Sequence, residues 1–139
     1  MADLKVSVLN DFSEYPGPRY SNQGEHSGEE FYHSIINKKF ATAVVDKSTL
    51  EVNLDGTAGY ASSFLDEAFG NLVYDFGESI VKNHLVIVST QEPDWIDMLE
   101  KETYPQWEER RKQNNSPKYT TSHNSKFVYN KGEVSTIDI

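Results

Sequence analysis

The residues best placed to do chemistry lie where a turn of small residues meets the start of a helix. Leu54-Asp55-Gly56-Thr57-Ala58-Gly59-Tyr60 runs out of an alternating strand pattern into Ser62 and Ser63, and an apolar stripe of helical spacing follows at once. A helix amino end carries unpaired N–H groups and partial positive charge. A hydroxyl at that place can accept a phosphoryl group, because the helix end stabilises the added negative charge. Ser63 with Asp66 three residues on also has the form of an ordinary cap, with Ser62 a turn residue, and such caps are common. On the residues alone the cap is the stronger reading, with Asp55, Gly56, Thr57 and Gly59 shaping the turn.

The other reactive types give less. Arg19, between Pro18 and Tyr20 in a half of the chain with few bases, has the fork to clamp a phosphate, a carboxylate or a partner, with Tyr20 beside it. A structural bridge to the turn is an equal reading. His26, His33, His84 and His123 show neither H-x-x-x-H nor H-E-x-x-H spacing, so no metal site is expected. The absence of cysteine removes disulfides, thiolate nucleophiles and cysteine-held zinc. The G-x-x-x-x-G-K-[ST] phosphate loop is also missing. Neither a catalytic residue nor a cofactor is expected.

The elements that position these residues follow from periodicity. Leu4, Val6 and Val8 alternate with polar residues as a half-buried strand does, and Asp11 to Gly28 form a long loop punctuated by Pro16, Gly17, Pro18 and Gly24. Ser27 and Glu30 mark the start of a helix over about 28–46, although Ala41 to Val45 also fits a strand. Leu50, Val52 and Leu54 alternate again and stop at Asp55-Gly56. Phe64, Leu65, Ala68, Phe69, Leu72, Val73 and Phe76 make one stripe, predicting a helix over 63–76 closed by Gly77. Leu85 to Val88 is continuously apolar, as expected of a central parallel strand covered on both faces. A charged helix over about 94–112 keeps Trp95, Met98, Leu99 and Trp107 on its apolar side, with a break at Pro105. Lys126–Asn130 and Val134–Ile139 form two strands around Lys131-Gly132.

This order predicts an α/β fold. Right-handed crossovers build a mostly parallel or mixed sheet with helices packed on it, and a C-terminal helix and β-hairpin are added. Residues 1–91 are expected to be the core and 92–139 an extension packed on the same domain. The aromatics Trp95, Tyr104, Trp107, Tyr119, Phe127 and Tyr129 suit either an interface, through self-association or a docked partner, or a cover for one face of the sheet.

The chain has 139 residues and a net charge of −9. Residues 1–90 hold 13 acids and 6 bases, residues 91–139 hold 9 acids and 7 bases, so the acidity lies mainly in the front part. Such a surface repels phosphate backbones, and nucleic acid is not an expected partner. Met1-Ala2-Asp3-Leu4-Lys5 lacks the apolar stretch of a signal peptide and no run reaches membrane-span length, so a cytoplasmic address is expected, with no membrane partner.

Two blocks carry a resemblance. Pro16-Gly17-Pro18-Arg19-Tyr20 with Ser27-Gly28-Glu29-Glu30-Phe31, and Leu54 to Tyr60 with Ser62 to Phe69, resemble the uncharacterised STAS-like domain family, relatives of the sulfate-transporter and anti-sigma-factor-antagonist domains. The resemblance spans about residues 4–90; the tail from Glu92 shows none. It implies a STAS-type fold and a non-enzymatic, regulatory, protein-binding role. In anti-sigma-factor antagonists a serine between strand end and helix start is phosphorylated by a histidine-kinase-type ATPase, which breaks binding to that kinase. Ser62 falls at that place, but Ala61 stands where those antagonists have an acidic residue. A partner ATPase of that type is thus an expectation from the resemblance.

Val52-Asn53-Leu54-Asp55-Gly56-Thr57 is also similar to the D-x-D-G-T motif of haloacid-dehalogenase-type phosphatases. Those enzymes attack phosphorus with the first aspartate, and Asn53, an amide, cannot replace it. A phosphoryl-handling enzyme or ligand sensor using this turn is therefore the alternative reading, and a structural or self-assembling accessory protein a third.

Overall fold

The structure, a computed structural model, describes residues 4–139; Met1–Asp3, part of the amino-terminal reading, lie outside them. β1 (Leu4–Ser7), β2 (Leu50–Asn53) and β3 (Leu85–Val88) form one sheet in that order, all parallel. A one-turn helix, α1 (Val8–Asp11), follows β1 directly, with the Ser7 hydroxyl accepting from the Asn10 N–H. The long loop, with a short 3-10 turn at Ser21–Gln23, leads to Ser27. There the Ser27 hydroxyl caps the next helix by accepting from the Glu30 N–H at 2.9 Å. α2 (Gly28–Phe31), a π turn (Tyr32–Ile36) and α3 (Asn37–Val45) run on as one helical stretch, so Ala41 to Val45 is helix and not strand.

Between β2 and β3 lie α4 (Ser62–Phe76) and α5 (Glu78–His84). α4 is the core helix, with Phe64, Leu65, Ala68, Phe69, Leu72 and Val73 wholly buried. Its apolar stripe packs against Val6, Leu50 and Val52 of the sheet and Phe31, Ile36 and Phe40 of the preceding helices in one cluster.

The sheet corrects one expectation. Strands added in the order β1-β2-β3, each by a right-handed crossover, send every connecting helix to the same face. The other face is left open: Lys5, Glu51 and Val86 stand in register across it, exposed or half-exposed. β3 is therefore an edge strand and not the doubly covered central one. None of its four residues is fully buried, while Leu50 and Val52 of β2 are.

The tail wraps α4. α6 (Asp94–Met98), a π turn (Leu99–Thr103) and α7 (Tyr104–Lys112) are continuous, and no break occurs at Pro105. The π turn is the reason: Tyr104 N–H bonds the Leu99 carbonyl five residues back, which shifts the ladder just where a proline lacks its donor. Trp107 lies on Gly70 of α4, where a Cβ would fall 2.1 Å from the indole. Tyr104 and Trp107 are buried, so these aromatics cover α4 and not the sheet. β4 (Ser125–Asn130) and β5 (Glu133–Asp138) pair antiparallel, with Lys131 and Gly132 both at positive φ in the hairpin turn. Among the described residues no helix is long and apolar enough to cross a membrane.

Candidate functional site

The turn after β2 is held by its own polar atoms. Asn53 turns its side-chain oxygen back to accept from the Asp55 N–H at 2.9 Å. The Asp55 carboxylate accepts from the Gln91 N–H at 3.0 Å, the Thr90 hydroxyl at 2.5 Å and the Thr90 N–H at 3.1 Å. These donors, Gln91 first, hold the Asp55 carboxyl below its ordinary pKa. Asp55 thus ties the turn to the loop after β3, and Gly56 adds to the tie by donating to the Gln91 side chain at 2.8 Å. Gly56 has φ of 92°, and Leu9 would lie 2.8 Å from a Cβ there, so both backbone and space require glycine. The Thr57 hydroxyl accepts from the Gly59 N–H, and the Tyr60 hydroxyl donates to the Leu54 carbonyl. The cavity enclosed by Leu54, Asp55, Thr57, Tyr60, Ser89 and Trp95 measures about 20 Å³, room for about one water.

α4 begins two residues earlier than the capping pattern suggests, and this corrects the role of Ser63. The cap position belongs to Ala61, which has no side-chain acceptor, and Phe64 N–H bonds the Ala61 carbonyl. Ser62 and Ser63 are the first two helical residues. Asp66 cannot complete a capping box because it is engaged elsewhere, accepting from Arg19 at 2.7 Å and from the Thr103 hydroxyl at 3.0 Å. Ser62 is exposed, with no hydrogen-bond partner for its hydroxyl among the described residues. Beside it, the Ala58 N–H bonds the Glu14 carbonyl, which brings the first loop, with Tyr15 65% exposed, against the turn.

Arg19 is committed through one nitrogen of its guanidinium. Its Nη1 donates to Asp66 and Glu67, at 2.7 and 3.1 Å, so the 11–28 loop is bridged to the first turns of α4, not to the turn before it. Through Nη1 Arg19 thus has a structural role. Tyr20 lies under the Lys118 ammonium, 4.9 Å from its ring centre, and so faces the tail.

Two polar anchors of the tail had no signal in the sequence. Glu29, buried in α2, accepts from Ser21 N–H, Thr120 N–H, the Thr120 hydroxyl and His123 Nε2. Burial alone would raise its pKa, and these donors, Thr120 and His123 foremost, bring it down to about 2. At the other end of α4, Asp75 accepts from Lys126 Nζ at 2.8 Å and from the Tyr32 hydroxyl, with both charged side chains at least 97% buried. Burial opposes the Lys126 charge, yet Asp75 and the Tyr119 hydroxyl more than reverse that and raise its pKa. The π turn stacks Tyr32 over Asn37, whose amide donates to the Tyr32 hydroxyl and exchanges two bonds with the Phe127 backbone. Partners 43 to 94 residues apart leave no local pattern to read. Among the described residues no group of three or more His, Asp or Glu is set to hold a metal.

Residues 27–95 match the model of a family described as a STAS-like domain of unknown function (DUF4325). Over these residues the chain is similar to a STAS-like domain. The match takes in Ser27–Phe31, the turn, Ser62 and α4, and stops at Trp95; the Pro16–Tyr20 block and the tail beyond Trp95 lie outside it. No curated protein and no solved structure matched the chain.

Proposed function

We propose that the STAS-like domain is a non-enzymatic regulatory module that binds a protein partner at the amino end of α4, and that Ser62 is the residue at which binding is switched. The observation that carries this reading is the Ser62 hydroxyl, exposed at the first helical position beside amides that no side chain caps. A phosphoryl group there meets the positive end of a fifteen-residue helix. The surroundings support a docking surface: Tyr15 is exposed next to the turn, and the turn itself is rigid, tied to the loops on both sides.

The phosphoryl-handling alternative draws less support. Asn53 uses its amide oxygen on the turn, Asp55 spends its carboxylate on Thr90 and Gln91, and the adjoining cavity is too small for a substrate. The partner class proposed is a histidine-kinase-type ATPase, on the strength of the family likeness to antagonists that such enzymes phosphorylate.

Ser62→Asp adds one negative charge against the ~1.5–2 of a phosphate, which the helix end accommodates and an acidic or apolar partner surface does not. The expected result is that wild type and Ser62→Ala capture the same protein from the native host while Ser62→Asp does not, with all three melting at nearly the same temperature. Equal capture by all three proteins overturns the switch, and an ATPase incubated with the chain that leaves Ser62 unmodified by mass spectrometry overturns the phosphorylation.

A further inference from the structure

The strand β3 is written for the middle of a sheet and stands at its edge. Its four residues, Leu85-Val86-Ile87-Val88, are all apolar, and none is fully buried; Val86 is 48% exposed. Its principal neighbours are β2 on one side and α5 before it. Free edges in folded proteins are guarded by charge, proline or bulges, because an unpaired row of N–H and C=O groups templates further pairing. The other edges among the described residues are guarded, β4 by Asn37, which bonds the Phe127 backbone. β1 carries an exposed Lys5, and β5 begins at Glu133 and ends at Asp138, both exposed. β3 carries no such guard.

We propose that two copies of the chain pair edge to edge along β3, antiparallel about a two-fold axis at Val86, so that the two sheets become one and β3 becomes its centre. The register follows from which backbone groups are free. Within a strand the N–H and C=O of one residue point to the same side and successive residues alternate. The Val88 carbonyl accepts from the Leu54 N–H on the β2 side, so Val86 also faces β2, and Leu85 and Ile87 turn their backbone groups outward; the Leu85 N–H is already given to the Val81 carbonyl, which leaves the Leu85 carbonyl and both groups of Ile87 for a neighbour. Setting Leu85 of each copy against Ile87 of the other lets each Ile87 N–H donate to the free Leu85 carbonyl across the axis, and leaves Val86 facing its own counterpart. That is the non-hydrogen-bonded position, where Cα atoms approach to about 4.5 Å.

Charge favours a second copy as the occupant. Lys82 and His84 lie in the last turn of α5 just before β3, and Asp55, Glu92 and Asp94 gather at the other end of the strand. Antiparallel pairing lays the basic end of one copy beside the acidic end of the other, twice, as a self-complementary interface requires. Among the described residues Lys82, 52% exposed, pairs with its helix neighbour Glu78 alone within one copy.

Sedimentation velocity on the full chain over a wide concentration range tests this. The expected result is a monomer–dimer equilibrium in the wild type. Val86→Lys sets two ammonium groups face to face on the axis and should be monomeric throughout, with an unchanged melt because the side chain is exposed. Lys82→Glu should weaken the dimer about tenfold, since it turns an attraction into a repulsion at each end. Amide exchange gives an independent reading: Ile87 should be protected only at concentrations where the dimer forms, and Val88 at all concentrations. A wild type that stays monomeric, a dimer that survives Val86→Lys, or a dimer dissolved by Ile137→Lys instead overturns the proposal. Ile87 protection that depends on another protein's strand and not on concentration overturns it as well, and gives the edge to that partner.

Discussion

The two ends of α4 are built on opposite plans. At the carboxyl end Asp75 is sealed with Lys126 and Tyr32, and Gly77, at φ 92°, turns the chain at once into α5. At the amino end Ser62 is exposed, the cap is an alanine, and the nearest carboxylates are taken by Arg19, Thr103 and the loop after β3. One helix therefore carries a fully committed end and an uncommitted one. A surface that must change its charge without disturbing the fold belongs at the uncommitted end, because a phosphate there displaces no existing bond. The committed end fixes the helix on which that surface stands.

The largest effect expected from breaking this arrangement is at Lys126. Lys126→Ala leaves the Asp75 carboxylate buried beside Tyr32 with its cation gone, a loss of about 3–5 kcal/mol. Thermal or urea melts should show it, and amide exchange should show β4 and β5 released first, since Asn37 alone would then hold Phe127. A melt within about 0.5 kcal/mol of wild type, the range of ordinary surface changes, would mean that the pair does not clasp the tail.

Acid should strike the same side of the molecule. His33 is stacked on His123 with ring centres 3.9 Å apart, and burial, then the nearby charges of His123 and Lys126, hold its pKa at about 3, with Glu29 acting the other way. Tyr119 also faces this ring. The native state keeps His33 neutral while the unfolded chain binds a proton below the ordinary value of 6.5, so stability is full above 6.5 and falls as pH drops toward 3. Glu29, held at about 2 against an ordinary 4.5, adds a loss of the same sign below 4.5. Roughly 3 kcal/mol should be lost by about pH 4 through His33, and His33→Phe should flatten that part of the pH–stability curve. An unchanged curve would show that His33 titrates normally in the folded protein.

Much of this contrast was legible in the residues, and the misses have physical causes. Periodicity predicted helices over about 28–46 and 63–76, and helical stretches stand at 28–45 and 62–76 because each buries a face of regular spacing; the five strands were legible from alternation or short apolar runs. An apolar run such as Leu85 to Val88 states that a strand suits burial on both sides; it cannot state whether a neighbour exists, and the strand order β1-β2-β3 puts β3 at the edge. Pro105 has the chemistry of a breaker, but the π turn before it absorbs the missing donor. At the site, Asp55, Gly56, Thr57 and Gly59 do shape the turn, and Ser62 does stand at the helix start. The anchors Glu29, Asp75 and Lys126 were silent because each is an ordinary surface type until a partner far along the chain encloses it.

The smallest effects should lie at the uncommitted end, and they separate its residues. Ser63–Asp66 satisfies the capping-box spacing, which taken alone predicts that Ser63→Ala costs about 0.5–2 kcal/mol. In the structure Ala61 holds the cap position and Ser63 is the second helical residue, so its hydroxyl satisfies none of the first-turn amides in the manner of a cap. Ser63→Ala should accordingly change stability by less than about 0.5 kcal/mol, as an exposed-helix substitution does. Ala61→Asp should do the reverse. A carboxylate at the cap position can accept from the Ser63 or Phe64 N–H and meets the positive helix end, a gain of about 1 kcal/mol. The two variants together fix where the helix begins. If Ser63→Ala is costly and Ala61→Asp neutral, α4 starts two residues later than described, Ser62 lies in the turn, and the exposed first-position hydroxyl on which the switch depends does not exist. If Ala61→Asp alone changes the melt, the amino end is a vacant cap with a free serine beside it, and a charge added at Ser62 acts on the partner and not on the fold.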